Sequence, residues 1–441
     1  MKKALIAVFV SLVSFSLAFA GGSSEKKASA PDKLSGTITV GGWPSGDKAF
    51  QAIIPMFNQK YPNIKVELQF QQSADHHKKL LTSLAAGAGA QDVVMVEARY
   101  IGMFRDKRGF VNLLDKPYDV KRMENDFVDY KWQMANSLDK KQMIGLPWDI
   151  GPLSMFYRKD MFKEAGLPYE PEEVQKLFSS SEGFLTAARK LYVPGKKWLL
   201  GNAADIFMVR KANRDWYNED LSFRFEDAET LKTLDIAQTI RKEGLDAKVL
   251  RNSNEWIAMV KQGQIAIDMS GSWFGGFLKT FIAPETAGKW GIVKVPNVEV
   301  PNWGGSFLAI PEQCKNKEAA WAFIEFAIAT KEAQNAMFKA VDYFPAYKPA
   351  WDDPVYQAAD PFFDNQKTRV LWIDISKGTK PSFVTIMDAQ TEAIMRSAVS
   401  TGLDQGISSK QVLENVKTQI LNETAQDRKV MEDLIKKAKG K

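Results

Sequence analysis

The stretch GLPWDIGPLSMFYRKDMFKEAGLP, Gly145 to Pro168, decides how the chain is read. Leu153 to Tyr157 is an extended apolar run whose entrance is framed by glycine and proline breaks. Behind it a charged helix start, Arg158-Lys159-Asp160-Met161-Phe162, is stopped by Gly166, with Pro168 just beyond. Trp148 and Asp149 stand side by side at the mouth of the run. An aromatic face beside a carboxylate, on a segment that leaves one folding unit for another, points to a cleft.

Upstream, Thr37 to Val40 reads as a strand closed by Gly41-Gly42, and Phe50, Ile53, Ile54 and Phe57 have helical spacing. From Ile64 to Phe70 apolar and polar residues alternate strictly, the pattern of a half-buried strand. A helix around Lys78 to Ala86 and a buried strand, Asp92 to Val96, complete a β-α-β-α-β order. That order predicts an open α/β sheet covered on both faces, with ligands at the carboxyl ends of its strands. Downstream, Phe178 to Leu191, Ala228 to Arg241 and Trp256 to Lys261 have helical spacing. The strand Ile265 to Met269 then ends in the aromatic, glycine-rich turn Ser270 to Gly276. Pro301 to Gly305 leads into the strand Ser306 to Ile310, and Lys317 to Thr330 is a strongly periodic helix.

At 441 residues the chain is too long for one ordinary core, and two domains are expected. The formal charge of +6 is spread thinly among mixed acids and bases, without the basic stripe or module of a nucleic-acid binder. Residues 1–20 carry a basic start, an apolar run and the small-residue end Ala18-Phe19-Ala20, which is the pattern of a secretory signal peptide. Residues 21–34 follow as a flexible polar linker. No cysteine lies near the cleavage point to carry a lipid, so a soluble periplasmic protein is expected. The single cysteine, Cys314, is read as structural, near a helix start. His76-His77 lacks metal-site spacing and is read as a surface pair. No nucleophile motif, P-loop or HExxH is present, so the reading is not an enzyme and calls for no cofactor and no metal.

Taken together, these segments resemble the extracellular solute-binding proteins of ABC importers, in particular the maltose-binding-like sugar-binding group. The carriers of the resemblance are the strand after Tyr61-Pro62-Asn63, the Asp92-Val93-Val94 strand, Gly145 to Asp149 and Tyr157 to Pro168. Lys261 to Trp273, Gly304-Gly305-Ser306 and Lys315 to Ile324 continue it in order. The resemblance implies a two-lobed, type II periplasmic binding-protein fold with the ligand between lobes joined by crossing segments. On this expectation lobe one holds residues 35–149 and 305–345, and lobe two residues 150–304 and 346–441. It also implies a carbohydrate ligand, delivery to inner-membrane permease subunits with their ATPase, and a monomeric receptor. A glycerol phosphate or polyamine ligand is the alternative within binding proteins, and a carbohydrate-processing enzyme the alternative outside them.

A sugar offers hydroxyls around apolar C–H faces, so its site needs flat rings together with carboxylates, amides or Arg. Trp43, Trp148, Trp273, Trp303 and Trp372 fall where the cleft is expected, with Phe344 at a crossing. Their polar companions are Ser45, Asp47, Glu97, Arg99, Asp149, Ser272 and Gly304. Asp47 serves equally as a helix cap, Arg99 as the partner of Glu97, and Asp149 as a hinge residue. Trp256 and Trp321 are assigned to packing.

Overall fold

The computed structural model describes residues 33–210, 216–296, 298 and 300–440; the expected leader and most of the linker lie outside them. Among the described residues ten strands are formed: β1 (Gly36–Gly42), β2 (Ile64–Phe70), β3 (Val93–Glu97), β4 (Gly145–Pro147), β5 (Asp149–Ile150), β6 (Ser154–Arg158), β7 (Ile267–Ser270), β8 (Trp290–Lys294), β9 (Ser306–Ala309) and β10 (Phe344–Pro345). The first sheet runs β2-β1-β3-β9-β4, with β1 parallel to β2 and β3 while β9 is antiparallel to β3 and β4. A second, antiparallel sheet has the order β7-β6-β8. The first sheet alternates strands and helices in chain order through β3, as the β-α-β-α-β reading expected.

Three segments pass side by side between the sheets. β5 pairs with β10, placing Ile150 opposite Phe344 and Asp149 opposite Pro345. Pro152 bridges Asn302, and the Leu153 amide donates to the Pro301 carbonyl at 2.9 Å. Because β9 returns along β3 in register, Ser306 lies directly opposite Glu97. The crossing therefore delivers one polar residue from each strand to the same end of the first sheet.

Local chemistry explains the element boundaries. The alternation over Ile64 to Phe70 marks β2 residue for residue. Phe178 to Leu191, expected as one helix, is broken, because the Ser180 hydroxyl accepts from the Gly183 amide at 3.0 Å and caps a new helix, Ser181–Leu191. Cys314 is buried just ahead of the helix Lys317–Ala329.

Several sequence readings are corrected by packing. Trp148 is 1% exposed and stacks on Phe50 with ring centroids 4.8 Å apart, so it belongs to the core and not to a cleft wall. Phe344 and Trp372 are fully buried and pack on each other edge to face at 5.7 Å. The Trp372 indole donates to the Ser154 hydroxyl at 3.1 Å, which satisfies its only polar group inside the core. Ser272 is fully buried, its hydroxyl turned toward the Ile150 carbonyl at 3.5 Å. The surface reading of His76 and His77 fails as well, since both are buried beneath the first sheet's end. Their helix, Ser73–Ala86, needs them there: His76 Nε2 donates to the Met95 carbonyl at 2.8 Å, and His77 Nε2 accepts from the Glu97 amide at 3.0 Å.

Trp148→Ala should lower the stability of the ligand-free protein by about 3–5 kcal/mol, as expected when a fully buried aromatic is removed. Urea denaturation without ligand checks this; an unchanged midpoint would return Trp148 to the cleft.

Candidate ligand-binding site

A cavity of about 190 Å³ opens where the crossing segments meet the ends of β1 and β3. Of the residues singled out from sequence, it gathers Trp43, Glu97, Asp149, Trp273, Trp303 and Gly304. Pro44, Phe277, Gly305, Ser306 and Tyr343 join them unannounced. The signals for these were present: Phe277 lies one helical turn beyond Trp273, and Tyr343 immediately precedes the marked Phe344. Ser45, Asp47 and Arg99 stand behind this lining. Ser45 precedes the helix Gly46–Lys60 with φ of 77°, and its hydroxyl bonds Tyr343. Asp47 lies in the first turn of that helix without bonding its amides as a cap, where a carboxylate suits the positive end of the helix dipole.

Asp149 is the buried centre of the crossing. Its carboxylate accepts from the Ser306 amide at 2.7 Å and the Ser306 hydroxyl at 2.5 Å. Burial raises its pKa, and the Lys131 charge and the Ser306 bonds oppose that rise. Lys131, itself fully buried, donates to the Gly304 carbonyl at 3.2 Å and rests 4.3 Å from the Phe307 ring centre. Alongside, Asn302 Oδ1 accepts from the Tyr130 hydroxyl and the Gly151 amide, both at 2.9 Å. Asn302 and Asp149 thus hold the same crossing by side-chain bonds where the backbone ladders are only two residues long.

Two aromatic rings form the wall on the second-sheet side. The Trp273 indole donates to the Trp303 carbonyl at 3.0 Å, fixing one ring against the other's backbone. Gly151 and Gly271 permit that approach, since a Cβ on them would sit 1.9 Å and 2.6 Å from the Trp303 carbonyl oxygen. Behind the rings lies Arg251, its guanidinium 5.0 Å from the Trp303 ring centre and 5.8 Å from that of Trp273. It is held by a two-pronged bond to Asp268, at 2.9 and 2.7 Å, and by the Ser270 hydroxyl at 2.8 Å.

The opposite wall is built from β1 and β3. The Trp43 ring packs on His76 and His77, 5.9 and 5.4 Å away. His77 Nδ1 donates to the Ser73 carbonyl while Nε2 accepts from Glu97, so the ring is neutral; burial lowers its pKa to about 4. Glu97 accepts from the Ser73 hydroxyl at 2.8 Å and from Arg99 at 3.3 Å.

Arg99 is also reached by charge from the other side. Burial works against its ionised form, but Glu97 and Glu392 overcome that penalty and its pKa is raised. Glu392 sits on the helix Asp388–Gln405, whose approach is fixed by Arg105, which donates to the Val384 carbonyl at 2.6 Å. Arg396 on the same helix lies 3.4 Å from Glu392 and 4.0 Å from Asp205. Charges of alternating sign thus run from Glu97 through Arg99, Glu392, Arg396 and Asp205 to Arg251. Asp205 is strained in this row: burial, with Asp268 and Asp246, outweighs Arg251 and Arg396 and lifts its pKa to about 6.

Comparison with known proteins fits this geometry. Residues 42–334 match the family model described as bacterial extracellular solute-binding protein, and the chain belongs to that family. A lactose-binding protein of Rhizobium radiobacter is 27% identical over 314 residues, covering 66% of this chain and 70% of its own length. An arabinooligosaccharide-binding protein of Bacillus subtilis is 22% identical over 386 residues, covering 82% and 85%. Among solved structures, an extracellular solute-binding protein of family 1 superposes with a TM-score of 0.75 at 24% identity, covering 89% of this chain and 99% of that one. An ABC transporter-associated binding protein of B. animalis subsp. lactis, in complex with β-1,6-galactobiose, gives 0.73 at 20% identity, covering 89% and 98%. The fold is therefore that of the type II periplasmic solute-binding proteins. These relatives are binding proteins. Among the described residues no helix is long and apolar enough to cross a membrane, and no group of three or more His, Cys, Asp or Glu side chains is placed to hold a metal ion.

Asp205 gives a pH prediction. Its folded pKa lies above the ordinary carboxylate value, so the folded state retains a proton that the unfolded chain releases, and stability falls as pH rises from 3.8 to about 6. Asp205→Asn should remove that loss, with unfolding free energies from urea titration matching wild type near pH ~4 and exceeding it near pH ~7.5 by up to about 3 kcal/mol.

Proposed function

We propose that this protein is the extracellular receptor of an ABC importer that captures a carbohydrate, in keeping with the sugar- and oligosaccharide-binding relatives, and delivers it to a membrane permease and its ATPase. The observation that carries the reading is the convergence of the Trp43, Trp273, Trp303 and Phe277 rings with the Glu97 carboxylate around one cavity. Ring faces cover the apolar C–H surface of a sugar, while carboxylates and backbone groups take its hydroxyls. Among the sequence-marked residues, Trp43, Glu97, Trp273, Trp303 and Gly304 are proposed as ligand contacts. Asp149, whose Oδ1 accepts both Ser306 bonds across the crossing, is assigned to the hinge.

The lobes are taken as residues 35–149 with 305–345, and 150–304 with 346–441, so that the cavity is walled by both. A ligand touching both walls favours the closed arrangement by its extra contacts there, which is all that hinge closure requires. The receptor is placed in the periplasm, as a monomer freed from its leader.

A thermal-shift screen over mono- and oligosaccharides tests the reading, since a ligand that binds only the folded state raises the melting temperature by mass action. A sugar should give a saturable rise and no shorter products on incubation. A rise with a phosphate ester or polyamine and none with any sugar would overturn the ligand class, and turnover would overturn the receptor. Trp273→Ala should weaken the sugar by roughly ten- to a hundredfold while moving the ligand-free melting temperature little, because its ring is only partly buried.

A further inference from the structure

The cavity alone is small. At about 190 Å³ it falls below the roughly 300–1,000 Å³ of most ligand pockets, so a carbohydrate of several units must continue outside it. One feature beside the cavity has the form such a continuation needs. Trp273 and Phe277, both lining the cavity, belong to the helix Trp273–Phe277, and a π-helical turn, Leu278–Ile282, follows without a break. Four residues overshoot one α turn and fall short of one π turn, so the two steps cancel and Phe281 comes into line with Phe277 and Trp273. The ring centroids are 5.2 Å apart from Trp273 to Phe277 and 5.1 Å from Phe277 to Phe281.

Phe281 is 54% exposed, the one aromatic side chain among the exposed large hydrophobics of the described residues. Its neighbours do not share that exposure. Leu278 and Ile282 are buried in the core, and Lys279 is turned into a cluster with Asp342 and Asp360, at 2.7 Å from each. The turn is thus anchored on its inner side while a bare ring stands at the outer end of a row that begins inside the cavity. A lone exposed Phe would need no comment; one in contact with Phe277, which lines a candidate sugar site and touches Trp273 in turn, does.

We propose that Trp273, Phe277 and Phe281 form an aromatic track along which successive units of an oligosaccharide leave the cavity, with Phe281 as an outer subsite that reads chain length. This rests on the carbohydrate-receptor reading above. The ring planes turn by 55° and then 50° along the row, which suits a chain whose units rotate relative to one another more than a flat, coplanar lattice. Stacking on Phe281 adds affinity only for a ligand long enough to reach it.

The test is calorimetric titration of wild type, Phe281→Ala, Phe281→Trp and Trp273→Ala with two ladders, galactose to galactotriose and arabinose to arabinotriose. In wild type, affinity should rise with unit number. Phe281→Ala should leave the shortest member that binds unchanged and weaken the longest by about three- to tenfold, with Phe281→Trp retaining the gain. Trp273→Ala should weaken every member. Equal loss at all lengths in Phe281→Ala, or none at any length, overturns the track while leaving the receptor reading intact. Loss of uptake in a reconstituted permease with unaltered binding would make Phe281 a permease contact and equally overturn it. If no member of either ladder binds wild type, the track is overturned for these chains, while the receptor reading stands or falls on the wider sugar screen.

Discussion

The carboxylate of Asp149, buried and bonded twice to Ser306 beside the Lys131 ammonium, is the constraint on which the site depends. Two-residue ladders such as β5 and β10 cannot by themselves fix the register of three segments that pass from one sheet to another. Charges withdrawn from water supply what the ladders lack, because a buried pair costs free energy unless its geometry is met in full, and removing one partner costs about 3–5 kcal/mol. Asn302 adds a neutral version of the same device, joining Tyr130, Gly151 and Gly304 through one amide. The crossing is therefore stiff in register, and the walls on either side can be placed against it.

Those walls are supported from behind by polar side chains that do not line the cavity. Arg251, locked to Asp268 and Ser270, backs the Trp273 and Trp303 rings, while the neutral His77 and its neighbour His76 back Trp43. Rings held this way lose little further freedom when a ligand stacks on them, which is how preorganisation improves affinity. The row of alternating charges from Glu97 to Arg251 brings the helix carrying Glu392 and Arg396 to face Arg99. In that row Asp205 is held above its ordinary pKa, a local cost within an arrangement that otherwise pairs its charges.

Much of this was legible in the sequence. The alternation of Ile64 to Phe70, the strand–turn–helix of Gly145 to Pro168 and the turn after Met269 each fixed an element, because periodicity and breakers are local properties of the chain. Their order was sufficient to place a cleft at the crossing, and six of the thirteen residues marked for it line one cavity.

The remainder was decided by which way neighbouring side chains turn, and that is a property of the tertiary structure. Along an extended segment adjacent side chains point to opposite faces. Trp148 therefore enters the core on Phe50 while Asp149 turns to the crossing, and Phe344 is buried while its neighbour Tyr343 lines the cavity. Where the helix Trp273–Phe277 begins, packing makes a similar division: Ser272 is buried, while Trp273 is only partly buried and lines the cavity. The sequence determined that aromatic and acidic residues gather at the crossing. Only the packing of the two sheets determined which member of each adjacent pair faces the cavity, because that depends on where the nearest buried surface lies and not on the pair itself.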